Sequence, residues 1–209
     1  MNLKASLIPL LMCCMLSSVC AQKSGVIYRS FSDFVSDKAD TTNNMLVEVR
    51  TRSQIYMSGG NDFKVYSEDK ALSKSLKKEV WAVKSNDSLF LNCAFHQLGL
   101  WYAFAEKINN KLYFSAAISF DKEISAQVAI AGTMGGPLAG GLASGSLALK
   151  RFYYVMNLDS GKMEYLSKDK MSELLQPFPD LLERYKNEKS PEDVETIKLY
   201  LTEFRNKSL

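Results

Sequence analysis

One spacing in this chain has chemical reach: Cys93-Ala94-Phe95-His96, in which the only histidine follows a cysteine by three residues. A thiol beside an imidazole can form an activated nucleophile or supply half of a metal site. The sequence does not mark the rest of either constellation. Structural zinc takes four ligands, and once residues 1–21 are set aside no second cysteine or histidine remains. The adjacent acids Glu192-Asp193 stand where a helix would begin and read as cap chemistry, not an acid/base couple. By type, Cys93 is expected to be a small buried residue closing a strand, with His96 in the following loop. The sequence therefore predicts no catalytic set, no metal and no cofactor.

Glycine-rich sequence raises a second possibility, phosphate binding. The stretch ISAQVAIAGTMGGPLAGGLASGSLAL, Ile124 to Leu149, holds six of the eleven glycines and no charge. A phosphate loop needs Gly-Lys-Ser/Thr after its last glycine, and no lysine occurs before Lys150. A dinucleotide fingerprint lacks its strand–turn–helix frame and ribose-binding acid. Ser144-Gly145-Ser146 does not match the Gly-x-Ser-x-Gly nucleophile elbow.

What the stretch does carry is a pattern of contact. Gly132, Gly136, Gly140 and Ser144 recur every four residues, a narrow smooth stripe on a helix. Ile130, Met134, Leu138 and Leu142 form a bulky ridge about 200° away. Small residues at this spacing let another helix come close. Against one continuous helix stand six glycines at about 0.8–1 kcal/mol each and Pro137 at about 3 kcal/mol. The expectation is a broken helix or helical hairpin that packs on its own domain, on a partner, on another copy or against a membrane surface, with an ordered glycine-rich loop as the alternative. As a strand the stretch would be poor, because glycine and proline weaken central strands.

The N-terminus, MNLKASLIPLLMCCMLSSVCAQ, has a charged start at Lys4, an apolar run from Leu7 to Leu16 and a small residue at Ala21. This is the form of a secretory signal. Cleavage after Ala21 is expected, with lipidation of Cys20 as the alternative. Export to the periplasm or cell envelope follows. Loss of residues 1–21 would leave Cys93 as the only thiol, so no internal disulfide could form. It would also lower the net charge of +3 by one, since only Lys4 is lost. That near-balance argues against nucleic acid as a partner.

Residues 22–209 suit one domain. Met45 to Arg50 alternates as a half-buried strand does, and Gln54 to Met57 is read as its continuation before the turn Ser58-Gly59-Gly60-Asn61. Ser30 to Asp33 can start a short helix, and Ala39 to Asn44 reads as loop. Ala71 to Lys78 is a basic amphipathic helix. Hairpin signals stand at Asn86-Asp87, Asn109-Asn110 and Asp159-Ser160-Gly161. Residues 167–209 read as helices: Ser167 caps the first, Pro179 opens the second, and Ser190-Pro191-Glu192-Asp193 signals the third. The predicted fold is α+β: an antiparallel β-meander of about six to eight strands, a glycine-rich helical insert at 124–149, and C-terminal helices. Trp81, Trp101, Tyr102, Tyr113, Tyr153 and Tyr154 are core candidates by type. Otherwise they would line a cavity for an apolar ligand, the alternative to a contact protein.

In order along the chain, GVIYRSFSDFVSDKA, EVWAVKSNDSLFLN, the glycine-rich segment, RFYYVMNLDSGKMEYL and FPDLLERYKNEK resemble a family of exported proteins of unknown function from Bacteroidota-type Gram-negative bacteria. The resemblance implies export, a signal ending in Ala-Gln as at Ala21-Gln22, and an α+β domain. It carries no activity and no catalytic residues.

Overall fold

The structure is a computed structural model that describes residues 23–130 and 148–208. Within them one antiparallel sheet of nine strands runs in the order β3-β2-β1-β4-β5-β6-β7-β8-β9. The strands are β1 (Lys23–Tyr28), β2 (Asp40–Val49), β3 (Phe63–Tyr66), β4 (Ala82–Ser85) and β5 (Ser88–Asn92). They continue with β6 (Tyr102–Ile108), β7 (Lys111–Ala116), β8 (Phe152–Asn157) and β9 (Met163–Tyr165). A bridge between Phe63 and Tyr102 joins β3 to β6, so the first six strands return on themselves as a small barrel. Strands β7 to β9 extend from β6 as an open wing.

Alternation of side chains explains why the barrel closes. Ile27, Met45, Val65, Val83, Phe90 and Tyr102, one from each barrel strand, fill its interior. Full burial of such side chains contributes about 1.5–3 kcal/mol each. Helix α3 (Lys70–Lys78) adds Leu76 to the same core, followed by Val80. The helix end and the residues after it are satisfied from the barrel: the Tyr102 hydroxyl donates to Leu76 O at 2.6 Å, and Asn92 Nδ2 donates to Val80 O, beyond the helix, at 2.9 Å. The other face of the strands builds a second core, including Trp81, Leu91, Phe114, Tyr154 and Tyr165.

The wing is apolar on both faces. Tyr113 belongs with the buried side chains of α5 (Lys168–Leu175), α6 (Pro179–Lys186) and α7 (Val194–Ser208), with Tyr153 and Val155 packed against them. Ser167 Oγ caps α5 and Pro179 begins α6, as the sequence predicts. The third cap is corrected: α7 begins at Val194, and Asp193 rather than Ser190 accepts from Glu195 N and Thr196 N. Glu192 instead accepts from Lys168 N, at the start of α5.

The sheet has nine strands beside the expected six to eight because β1 adds one, and β2 is longer than its alternation indicates. Val26-Ile27-Tyr28 forms the end of β1, and Asp40–Asn44, read as loop, is the front half of β2. That half pairs with β1 yet keeps mostly exposed side chains, so no apolar alternation announces it. Gln54–Met57, read as strand, lies in α2 (Arg52–Ser58). A capping box decides it: Thr51 Oγ1 accepts from Gln54 N, and Gln54 Oε1 accepts from Thr51 N. The remaining short helices are α1 (Phe31–Val35), capped by Ser30, and α4 (Lys122–Ile130).

Candidate functional site

Arg50 organises one end of the barrel. It follows β2, and its guanidinium is buried. The N–H groups donate to Asn61 O at 2.7 Å, Gly59 O at 2.8 Å, Gln54 O at 3.2 Å and Ser58 Oγ at 2.6 Å. Two of these acceptors, Ser58 Oγ and Gly59 O, stand at the C-terminal end of α2, where a cation is favoured. The same guanidinium lies 5.0 Å from the centre of the Trp101 ring, and Lys77 Nζ lies 6.0 Å from it. Burial, then the neighbouring Arg151, lower the Arg50 pKa from its ordinary value, while Asp62 opposes them. A guanidinium stays charged under such shifts.

The backbone around Trp101 is unusual. Gln97, Gly99, Trp101, Gly59 and Gly60 all have positive φ. For a bulky residue such as Trp101, at φ 75°, this region is sparsely populated and costs about 1–3 kcal/mol. At Gly60 it is obligatory in a second way: a Cβ there would lie 2.7 Å from both Leu100 O and Trp101 Cδ1. Asn61, fully buried, locks the loops together. Its Nδ2 donates to Leu98 O at 2.8 Å, and its Oδ1 accepts from Ala117 N at 2.7 Å.

Large apolar side chains face outward at this end. Met57 is 84% exposed, Leu100 62%, Phe120 61% and Tyr56 58%. The loops that carry them are joined through the backbone: Asn61 N donates to Leu100 O at 2.9 Å, Gly60 lies against Gly99, and Phe120 N donates to Gln97 O at 2.7 Å. Tyr154 steadies the last loop, its hydroxyl accepting from Ser119 N and donating to Ala117 O.

Both described flanks of the glycine-rich segment attach here. Asp121, next to Phe120, accepts from Glu123 N and Ile124 N and so starts α4. On the return, Arg151 directs Nη2 and Nε to Asp62 Oδ1 at 2.7 and 2.9 Å, and Nη2 also reaches Gly60 O at 3.1 Å. Gly132, Gly136, Gly140 and Ser144 lie outside the described residues, as does the segment 1–21.

The Cys93–His96 spacing becomes a turn of 3-10 helix. Cys93 is fully buried, and its Sγ donates to Leu91 O at 3.8 Å. Burial pushes its thiol far above the usual range, against the thiolate that nucleophilic attack requires. His96 Nε2 is buried without a hydrogen-bond partner, and the ring meets Trp81 edge-on at 5.8 Å. Burial lowers its pKa to about 4. Among the described residues, no three His, Cys, Asp or Glu side chains gather as a metal site would require. A polar cleft of about 560 Å³ lies by Arg29, Asp33, Asp37 and Asp40. Two of its carboxylates are engaged, Asp40 with Arg29 and Asp37 with the Tyr28 hydroxyl.

The residues of the apolar end went unread in the sequence. Ser58-Gly59-Gly60-Asn61 signals a turn, but nothing in its composition tells that Arg50 and Trp101 meet over it. The outward position of Met57 follows only once α2 is known to be a helix.

Fold and site together define an α+β protein with a filled six-stranded barrel, a helix-covered wing and an apolar loop end. The chain belongs to the Family of unknown function (DUF6563), whose model matches residues 26–208. No curated protein and no solved structure matches it.

Proposed function

We propose that this protein is an exported, non-enzymatic component of a Gram-negative cell envelope that works by contact. The observation that carries this is the grouping of Met57, Leu100, Phe120 and Tyr56 at one end of the barrel. Exposed apolar side chains gathered in one place mark interaction sites more often than scattered ones do. The two flanks of the uncharged stretch Ile124–Leu149 are fastened beside them. Export rests on the signal-like residues 1–21, with cleavage after Ala21. A cavity-binding role gains nothing from the barrel, because side chains from all six strands fill it.

Cell fractionation with carbonate washing of the membranes, followed by sedimentation of the soluble fraction, tests the reading. Retention on membranes, or a self-associated or partner-bound soluble form, is expected. A soluble monomer without partners would reject it. Among the described residues no helix is long and apolar enough to cross a membrane.

A further inference from the structure

Resting on that contact reading, we infer that the apolar loop end docks on an anionic lipid surface, with Met57 and Leu100 entering the headgroup–acyl boundary and Trp101 lying at its level. Charge selects this occupant. Trp101 is flanked by Lys77 and by the buried Arg50, whose N–H groups are committed to four acceptors, so Lys77 is the exposed cation of the two. Of the carboxylates at this end, Asp62 is bound by Arg151, Asp121 accepts from the first N–H groups of α4, and Glu123 is exposed next to the exposed Lys122. Glu79, at the end of the helix carrying Lys77, is hydrogen-bonded to Ser75 Oγ at 2.8 Å. Lys74, Lys77 and Lys78 are exposed on that helix, and Arg52 is exposed on α2 beside Tyr56. Apolar tips ringed by cations, with an indole at the boundary, suit a bilayer interface: tryptophan prefers the headgroup level, and lysines near an anionic surface strengthen binding. A second copy of this chain would bring the same cations face to face.

The test uses the chain lacking residues 1–21, whose own apolar run would bind lipid. The described body starts beyond that cut, at Lys23. It is floated with vesicles of phosphatidylcholine alone or with about one third phosphatidylglycerol. In a parallel measurement, brominated acyl chains quench its tryptophans. The chain has two, and Trp81 is buried, so quenching reports Trp101. Binding should be at least about tenfold stronger to the anionic vesicles and fall with added salt. Met57→Asp with Leu100→Asp should reduce it at least about tenfold, and Lys77→Glu about fivefold, each lysine near the surface being worth about 1 kcal/mol. Unchanged circular dichroism would show these surface variants folded. Vesicle binding that ignores the variants would overturn the inference but leave the contact reading in place. So would concentration-dependent dimers, or capture of a protein partner, without lipid binding. Neither lipid binding nor association would defeat both.

Discussion

The Arg50 guanidinium lies over the Trp101 indole, 5.0 Å from carbon to ring centre, and this contact ties the end of β2 to the start of β6. Arg50 also satisfies Asn61 O, Gly59 O and Gln54 O. Arg50→Met would keep much of the stem and strand those acceptors. We expect a loss of about 2–4 kcal/mol in urea unfolding. Arg50→Lys should recover less than half, because an ammonium cannot serve the same fork of acceptors and has no planar face to stack.

Asp62 and Arg151 form a half-buried pair that pins the return of the glycine-rich segment to the β2–β3 loop. A double-mutant cycle with Asp62→Asn and Arg151→Met should give a coupling of about 1–3 kcal/mol, the range for hydrogen bonds to charged groups. A coupling near zero would mean that the pair is screened like an ordinary surface bridge.

Gly60 meets a backbone wall. Gly60→Ala should destabilise by at least about 2 kcal/mol, combining a positive φ with a Cβ 2.7 Å from Leu100 O. Gly59 also has positive φ but open space around it, so Gly59→Ala should cost about 1 kcal/mol. Equal thermal shifts for the two variants would contradict this account.

His96 gives the protein an acid sensitivity. Its folded pKa, lowered to about 4, lies below the ordinary 6.5. Between those values the unfolded chain binds a proton that the folded chain refuses. Stability therefore falls as pH drops from about 6.5 to about 4 and receives no further change from this group below that. The loss is on the order of 3 kcal/mol. His96→Phe, which keeps a ring against Trp81, should flatten this part of a stability-versus-pH curve.

Cys93 should behave as core. Mass spectrometry of the peptide carrying Cys93, after brief alkylation, should show modification only once the protein is unfolded. Rapid labelling in the native state would restore the nucleophile reading. Cys93→Ser, which buries a hydroxyl at a wholly enclosed position, should cost about 1–3 kcal/mol.

The hairpins were legible because Asn86-Asp87 and Asn109-Asn110 carry turn chemistry between alternating strands, and the structure gives Asn86, Asp87 and Asn109 positive φ. The C-terminal helices were legible for their caps. Asp40–Asn44 was not, since a polar strand held by its backbone has no side-chain pattern. α2 was misread because Gln54 to Met57 is too short for periodicity to outweigh its apolar run, and only the Thr51–Gln54 pair could have revealed it. Closure of the ring through Phe63 and Tyr102 is a meeting of distant residues that no local signal announces. The apolar end suffers the same limit: Arg50, Gly60, Trp101 and Arg151 are ordinary residues until the fold assembles them.

Barrel closure also orders events in time. β1 sits between β2 and β4, with Gly25 opposite Ser85, so the first strand to emerge from a ribosome waits for one far behind it. The ring is complete only when Tyr102 arrives. Such high contact order slows folding and leaves early strands exposed meanwhile. The uncharged stretch from Ile124 onward emerges after every strand of the ring, when the barrel core can already be shut, and before the wing strands β8 and β9 and the C-terminal helices.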